Sequence, residues 1–185
     1  MTKAKYLWLD LETTGLDPDD ASILECAAIV TDGDLVPIGS GLEMVLRYTR
    51  EDLQMDRPYI SNYVLEMHAK SGLWEACHAS TINHVNLTVG LNQIIDAHEW
   101  AEGKPILAGS TIHFDRKFLV EWCFATHEKL HYRMHDVSSL RMAAIDLFGR
   151  DYPKSTELHR ARADIEESLR LARELYEDFA RGARG

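Results

Sequence analysis

Apolar positions alternate with polar ones at the start of the chain and give way to a helical period later. Residues 5–10 predict a first strand, and Leu24–Thr31, rich in Ile, Val and Ala, a second. Asp32-Gly33-Asp34 marks the turn after it, and residues 40–48, with Val45 and Leu46, predict a third strand. Strands joined by short turns pair antiparallel. Ser61–Lys70 predicts a short helix ending near Gly72. Leu87, Leu91, Ile94, Ile95 and His98 recur at helical spacing and predict an amphipathic helix over 88–101, stopped by Gly103-Lys104-Pro105. Pro105–Gly109 is a short apolar run between breakers, which predicts a buried strand. The helix after it has Phe114, Phe118, Leu119 and Trp122 on one side. Residues 132–137 predict a last strand, with Ser138 or Ser139 capping a helix that runs to about Phe148. The final helix buries Ile165, Leu169, Ala172, Leu175 and Phe179. It carries Glu166–Arg170, Arg170–Glu174 and Arg173–Glu177 as i,i+4 pairs on its other face. Together these elements predict an α/β fold: a mixed five-stranded sheet, its first three strands antiparallel, flanked by helices. One domain is expected over residues 1–180, with 181–185 as a flexible tail and 149–158 as a long loop before the last helix.

Composition narrows the classes. A chain of 185 residues that is 45% hydrophobic suits one domain with a substantial core. No apolar run reaches the length of a membrane span, and the N-terminus lacks the apolar segment of a secretory signal. Cys26, Cys77 and Cys123 are odd in number and far apart, which fits reduced, mostly buried thiols in a cytoplasmic protein and not a zinc site. The net charge of −10 argues against coating long nucleic acid by phosphate neutralisation. It leaves room for an enzyme whose metals supply local positive charge to a short substrate. Nine histidines are present; His78, His84, His98, His127 and His135 read as surface or satisfied core residues.

The chemistry concentrates in four acids and one histidine. In Leu9-Asp10-Leu11-Glu12-Thr13-Thr14-Gly15 the period of two aims Asp10 and Glu12 one way, and Leu9 and Leu11 the other. Side-by-side carboxylates repel unless a cation lies between them, and hard divalent cations take oxygen ligands. Asp115 opens the helix after the buried strand, and Asp164 stands near the start of the last helix. Either would suit a helix dipole alone; jointly they mark sheet-to-helix junctions, where α/β sites gather. His159 precedes Asp164 by five residues, roughly 140° apart on a helix, so it is placed in the approaching loop. An imidazole of ordinary pKa, about 6.5, suits a general base there. Four carboxylates and a base fit hydrolysis of a phosphodiester with two divalent ions, Mg²⁺ or Mn²⁺, about 3.5–4 Å apart.

At these residues the chain resembles the DEDDh exonucleases: Asp10-x-Glu12-Thr-Thr-Gly, then Asp115 in Phe114-Asp115-Arg116-Lys117-Phe118-Leu119, then His159-x₄-Asp164. The resemblance implies a ribonuclease H-like fold and metal-dependent removal of nucleotides from 3′ ends. Within that family the chain most resembles the oligoribonucleases, through His68-Ala69-Lys70-Ser71-Gly72-Leu73, Gly109-Ser110-Thr111-Ile112, and His131-Tyr132-Arg133 leading to Asp136-Val137-Ser138-Ser139-Leu140. That similarity implies a homodimer acting on short single-stranded RNA and releasing nucleoside 5′-monophosphates. It also implies that Leu16 wedges against the bases with Tyr63 and His68. Thr111, Arg133, Ser138 and Ser139 would cap the 5′ phosphate, and Tyr132 would reach the partner subunit's site. Thr13, Tyr63, Ser110 and Thr111 depart from the usual oligoribonuclease residues, and Asp-x-Glu-Thr-Thr-Gly is closer to proofreading exonucleases. A proofreading-type or single-strand DNA 3′-to-5′ exonuclease therefore stays open as the alternative.

Overall fold

The computed structural model describes residues 3–153 and 159–182. Five strands form one sheet: β1 (Tyr6–Thr13), β2 (Ile23–Thr31), β3 (Leu42–Val45), β4 (Ile106–Gly109) and β5 (Met134–Asp136), in the order β3-β2-β1-β4-β5. β1–β2 and β2–β3 pair antiparallel, whereas β1–β4 and β4–β5 pair parallel. This is the mixed, helix-flanked sheet that the pattern predicts. The helices are α1 (Arg50–Asp56), α2 (Asn62–Lys70), α3 (Leu73–Ala79), α4 (His84–Asp96), α5 (His113–Trp122), α6 (Phe124–His127), α7 (Val137–Phe148) and α8 (Ala161–Gly182).

β1 is the central strand, and its alternation organises both layers. Leu7, Leu9 and Leu11 pack with Leu87 and Leu91 of α4 and Phe118 and Leu119 of α5. Tyr6 and Trp8 face the other way, onto Ile165, Leu169 and Ala172 of α8 and Val137 and Ala144 of α7. Trp8 is fully buried and satisfies its indole N–H on Thr31 Oγ1 at 3.0 Å.

Several boundaries differ from the expectations, each for a local reason. β1 runs on to Thr13, so Asp10 and Glu12 lie inside the strand and not at its end. α4 starts at His84, where Asn83 and Asn86 form a reciprocal cap, and stops at Asp96, because Trp100 turns back to bridge Ala4. The cap of α7 is Asp136, which accepts from the Ser138 N–H at 3.0 Å; neither Ser138 nor Ser139 takes that role. On α8, Arg170 pairs with Glu174 as expected. Glu166, however, pairs with Arg162, and Arg173 donates to the Leu35 carbonyl. α8 continues through Arg181 and Gly182, two residues of the expected tail; 183–185 lie outside the described residues, as does 154–158 of the expected loop. α1 and α3 had no periodic signal. Each is seven residues long, and α1 buries no side chain. Cys26, Cys77 and Cys123 are free and buried. No helix among the described residues is long and apolar enough to cross a membrane.

Candidate active site

The site is built where the α8 face of β1 meets the first turn of α8. Asp10 and Glu12 extend the side of β1 that carries Tyr6 and Trp8. The pairing register with β2 shifts between Glu12 and Thr13, a bulge of the kind that re-aims side chains beside sites. Asp164 approaches from α8. One carboxylate oxygen each of Asp10, Glu12 and Asp164 lies within 4.8 Å of the others. Asp115 does not join this trio. It is buried in the first turn of α5, and its Oδ1 accepts the Leu11 N–H at 2.9 Å, which ties α5 to the strand carrying the acids.

The electrostatics of the cluster are unfavourable for bare carboxylates. Burial pushes Glu12 up to about 8, helped by the neighbouring charges of Asp164, Glu25 and Asp115. Burial raises Asp115 in the same direction against the pull of the Leu11 N–H. Crowded, desolvated acids hold protons in the absence of a counter-charge. Hard oxygen donors that close together are the set a divalent cation takes, so the residues present fit the metal that the sequence implies.

A cleft of ≈ 420 Å³ opens over the acids. Asp10, Glu12 and Asp164 line it together with His159, Tyr63, Thr111, Ser138, Ser110 and Ser168. His159 immediately precedes Arg160 and α8, in the position expected of a group approaching from the loop. Its φ is 48° and that of Thr111 is 56°; among the described residues the only other non-glycine with positive φ is Leu35. Strained backbone at two rim residues is the sort of outlier that clusters at functional sites. Tyr63 and His159 also line the adjoining ≈ 550 Å³ cleft, with Lys70 and Arg160.

The remaining sequence candidates divide. Thr111 Oγ1 and Ser138 Oγ are 3.0 Å apart on one wall. Asp136 stands behind them: its Oδ1 accepts the N–H groups of Thr111 (2.9 Å) and Ser138 (3.0 Å), and its Oδ2 accepts the Ser139 hydroxyl (2.8 Å). Leu16 is 81% exposed, but it lines two flanking clefts and not the one over the acids. Arg133 and Tyr132 are exposed and do not line the acid cleft of their own chain; the guanidinium sits over the Tyr132 ring, 5.2 Å from its centroid. His68 requires a correction. It is 0% exposed, so it cannot stack on a base. Its Nε2–H donates to the Thr13 carbonyl at 2.9 Å and its ring meets Trp74 edge-on, so it braces the turn after β1.

Sequence reasoning passed over Glu25, Arg160 and Asp136. Glu25 had a visible signal: an acid inside the otherwise apolar run Leu24–Thr31. Arg160 and Asp136 look like ordinary surface charges until the fold brings their partners to them.

A sequence profile of the exonuclease family matches residues 7–172. The oligoribonuclease of Corynebacterium glutamicum (strain R) is 39% identical over 170 residues, 90% of this chain and 75% of that protein. The chain belongs to the exonuclease family, among its oligoribonucleases. The oligoribonuclease of Mycobacterium avium (strain 104) is 36% identical over 169 residues, 90% of this chain and 77% of that protein. The enzyme class is the one expected from the motifs, a 3′-to-5′ exoribonuclease, and the exonuclease family works with divalent metal. Among solved structures, exonuclease I of Methylocaldum szegediense superposes with a TM-score of 0.70 at 17% identity over 93% of this chain, which spans 40% of that one. Exonuclease I of E. coli with zinc and single-stranded DNA gives 0.66 at 14% identity, over 94% of this chain and 40% of that one. These likenesses place the fold as ribonuclease H-like.

Proposed function

We propose that the cleft hydrolyses short single-stranded RNA from its 3′ end, releasing nucleoside 5′-monophosphates, with two divalent ions, Mg²⁺ or Mn²⁺, held by Asp10, Glu12, Asp164 and Asp115. The observation that carries this reading is the meeting of Asp10, Glu12 and Asp164 within 4.8 Å at the floor of a cleft with His159 at its rim. Bound there, the ions would supply charge neutralisation at the phosphodiester and activation of water. The chain's own residues do the rest. The imidazole of His159 takes the proton of the attacking water. Thr111 and Ser138 offer hydroxyls to the phosphate on the far wall, with Asp136 fixing their backbone. Tyr63 and Leu16 supply flat or apolar surface for bases without reading sequence.

Tyr132 and Arg133 complete the reading only through a second subunit. Tyr132 is 73% exposed and carries Arg133 against it. In a homodimer the pair reaches a neighbouring cleft, where Arg133 closes on the 5′ phosphate with Ser139. Arg133→Ala then weakens binding of a 5′-phosphorylated dinucleotide by about 1.5–3 kcal/mol, as for a hydrogen bond to a charged group. Calorimetry reads this directly, and equal losses for phosphorylated and unphosphorylated RNA would remove the cap. The buried thiols fit a reducing cytoplasm.

A length series of 5′-labelled RNAs with Mg²⁺, run beside a ten-nucleotide DNA, tests substrate and chemistry together. Two-nucleotide RNA is expected to turn over fastest. Faster cleavage of the DNA would favour a proofreading-type or single-strand DNA exonuclease instead.

A further inference from the structure

Glu25 is a fifth acid beside the cluster, and its surroundings give it a different task. It sits on β2 directly opposite Glu12 in the pairing register and is fully buried. The Arg160 guanidinium grips both its oxygens: Nε lies 3.1 Å from Oε1 and 3.0 Å from Oε2, and Nη2 lies 2.6 Å from Oε1. The Ala161 N–H adds a bond to Oε2 at 3.0 Å. Three N–H donors, with the Arg160 Nε–H shared between the two oxygens, leave each oxygen of Glu25 engaged by the protein itself.

The pair holds more than itself. Ala161 is the first residue of α8, so the helix begins at the bond to Glu25. The Arg160 N–H donates to Asp164 Oδ2 at 3.2 Å, which ties the gripped residue to the acid one turn on. His159 adjoins Arg160 and carries the strained φ of 48°. A buried ion pair is poor value as a stabiliser, because apolar residues of similar volume do as well or better. What apolar packing would not supply is a fixed direction for the first turn of α8.

Resting on the functional reading above, we propose that Glu25 and Arg160 are positioning residues: they fasten the first turn of α8 to the strand beside Glu12, and so set Asp164 and His159 against Asp10 and Glu12. They act without contacting substrate. Arg160 is partly exposed toward the ≈ 550 Å³ cleft, so direct contact with RNA phosphate is the competing role that the test must separate.

The test is steady-state cleavage of 5′-labelled two-nucleotide RNA with Mg²⁺ by wild type, Glu25→Gln, Arg160→Lys and Arg160→Ala, with circular dichroism on each. The expected result is a kcat lowered about 10–100-fold in Glu25→Gln and Arg160→Ala, as for residues that orient metal ligands, with KM little changed. Added guanidinium is expected to restore part of kcat in Arg160→Ala. Arg160→Lys, which keeps charge and loses the fork, is expected to fall between. A folded Glu25→Gln with wild-type kcat would overturn the proposal. So would a raised KM with unchanged kcat in the Arg160 variants, since that marks a substrate contact. If Glu25→Gln does not fold, the guanidinium arm decides: recovery supports the clamp and its absence overturns it. A wild type inactive in the same assay would instead sink the functional reading itself.

Discussion

Asp10→Asn leaves two-nucleotide RNA almost uncleaved, with kcat lowered on the order of a thousandfold while the protein stays folded. The substitution keeps the volume and one oxygen and removes one charge. Asp10 is half-buried inside the central strand β1 and opposite Ala27 of β2, so the backbone that presents it does not depend on its charge. What is lost is the negative charge of one of the three groups whose oxygens lie within 4.8 Å. A cation that stabilises transition-state charge is worth several kcal/mol, and 1.36 kcal/mol is a factor of ten in rate. Losing its seat therefore costs about three decades. Single-turnover rates with Mg²⁺ and Mn²⁺ measure this, beside circular dichroism to show that the sheet persists. A variant within tenfold of wild type would show that Asp10 is not a ligand.

Divalent metal raises the melting temperature of the chelator-treated protein, and raises it more at pH 8 than at pH 6. The size follows from mass action: at a thousandfold excess over Kd the gain is about 4 kcal/mol. For a chain of this length that is about 10 °C. The pH dependence follows from Glu12 and Asp115. Burial holds Glu12 protonated up to about 8 in the folded, metal-free protein, whereas in the unfolded chain it releases its proton near 4.5. Between those values the folded state binds more protons than the unfolded one, so metal-free stability falls as pH rises. Asp115 shifts in the same direction and adds to the slope. Metal must displace those protons at pH 6 and meets fewer at pH 8. Differential scanning fluorimetry with and without Mn²⁺ at the two pH values reads the gap. A gap that narrows toward pH 8 would mean that the acids are not crowded as the structure has them.

Much of the sheet was legible because its residues state their environment. Leu24–Thr31 reads as a buried strand, and the i,i+4 and i,i+3 spacings of Ile165, Leu169 and Ala172 read as a packed helix face. The pairing of Asp10 with Glu12 follows from the period of a strand. What stayed hidden was tertiary. His68 reads as a polar helical residue near a candidate pocket, yet it is fully buried, with its Nε2–H on the Thr13 carbonyl and its ring edge-on to Trp74. Glu25 meets its partner 135 residues away, which no local pattern signals. Asp136 was passed over in favour of the serines after it because all three are good caps; only the fold shows which side chain faces the free N–H groups.

β1 writes the apolar core and the acid cluster into a single reading frame. Leu7, Leu9 and Leu11 belong to one layer, and Trp8, Asp10 and Glu12 to the other. One residue inserted between Tyr6 and Leu7 would turn the downstream part of the strand over, sending both carboxylates under α4 and α5 and three leucines against α8. The surface turns of this molecule can gain or lose length; this strand cannot, and any relative that keeps the chemistry must keep its spacing to the residue.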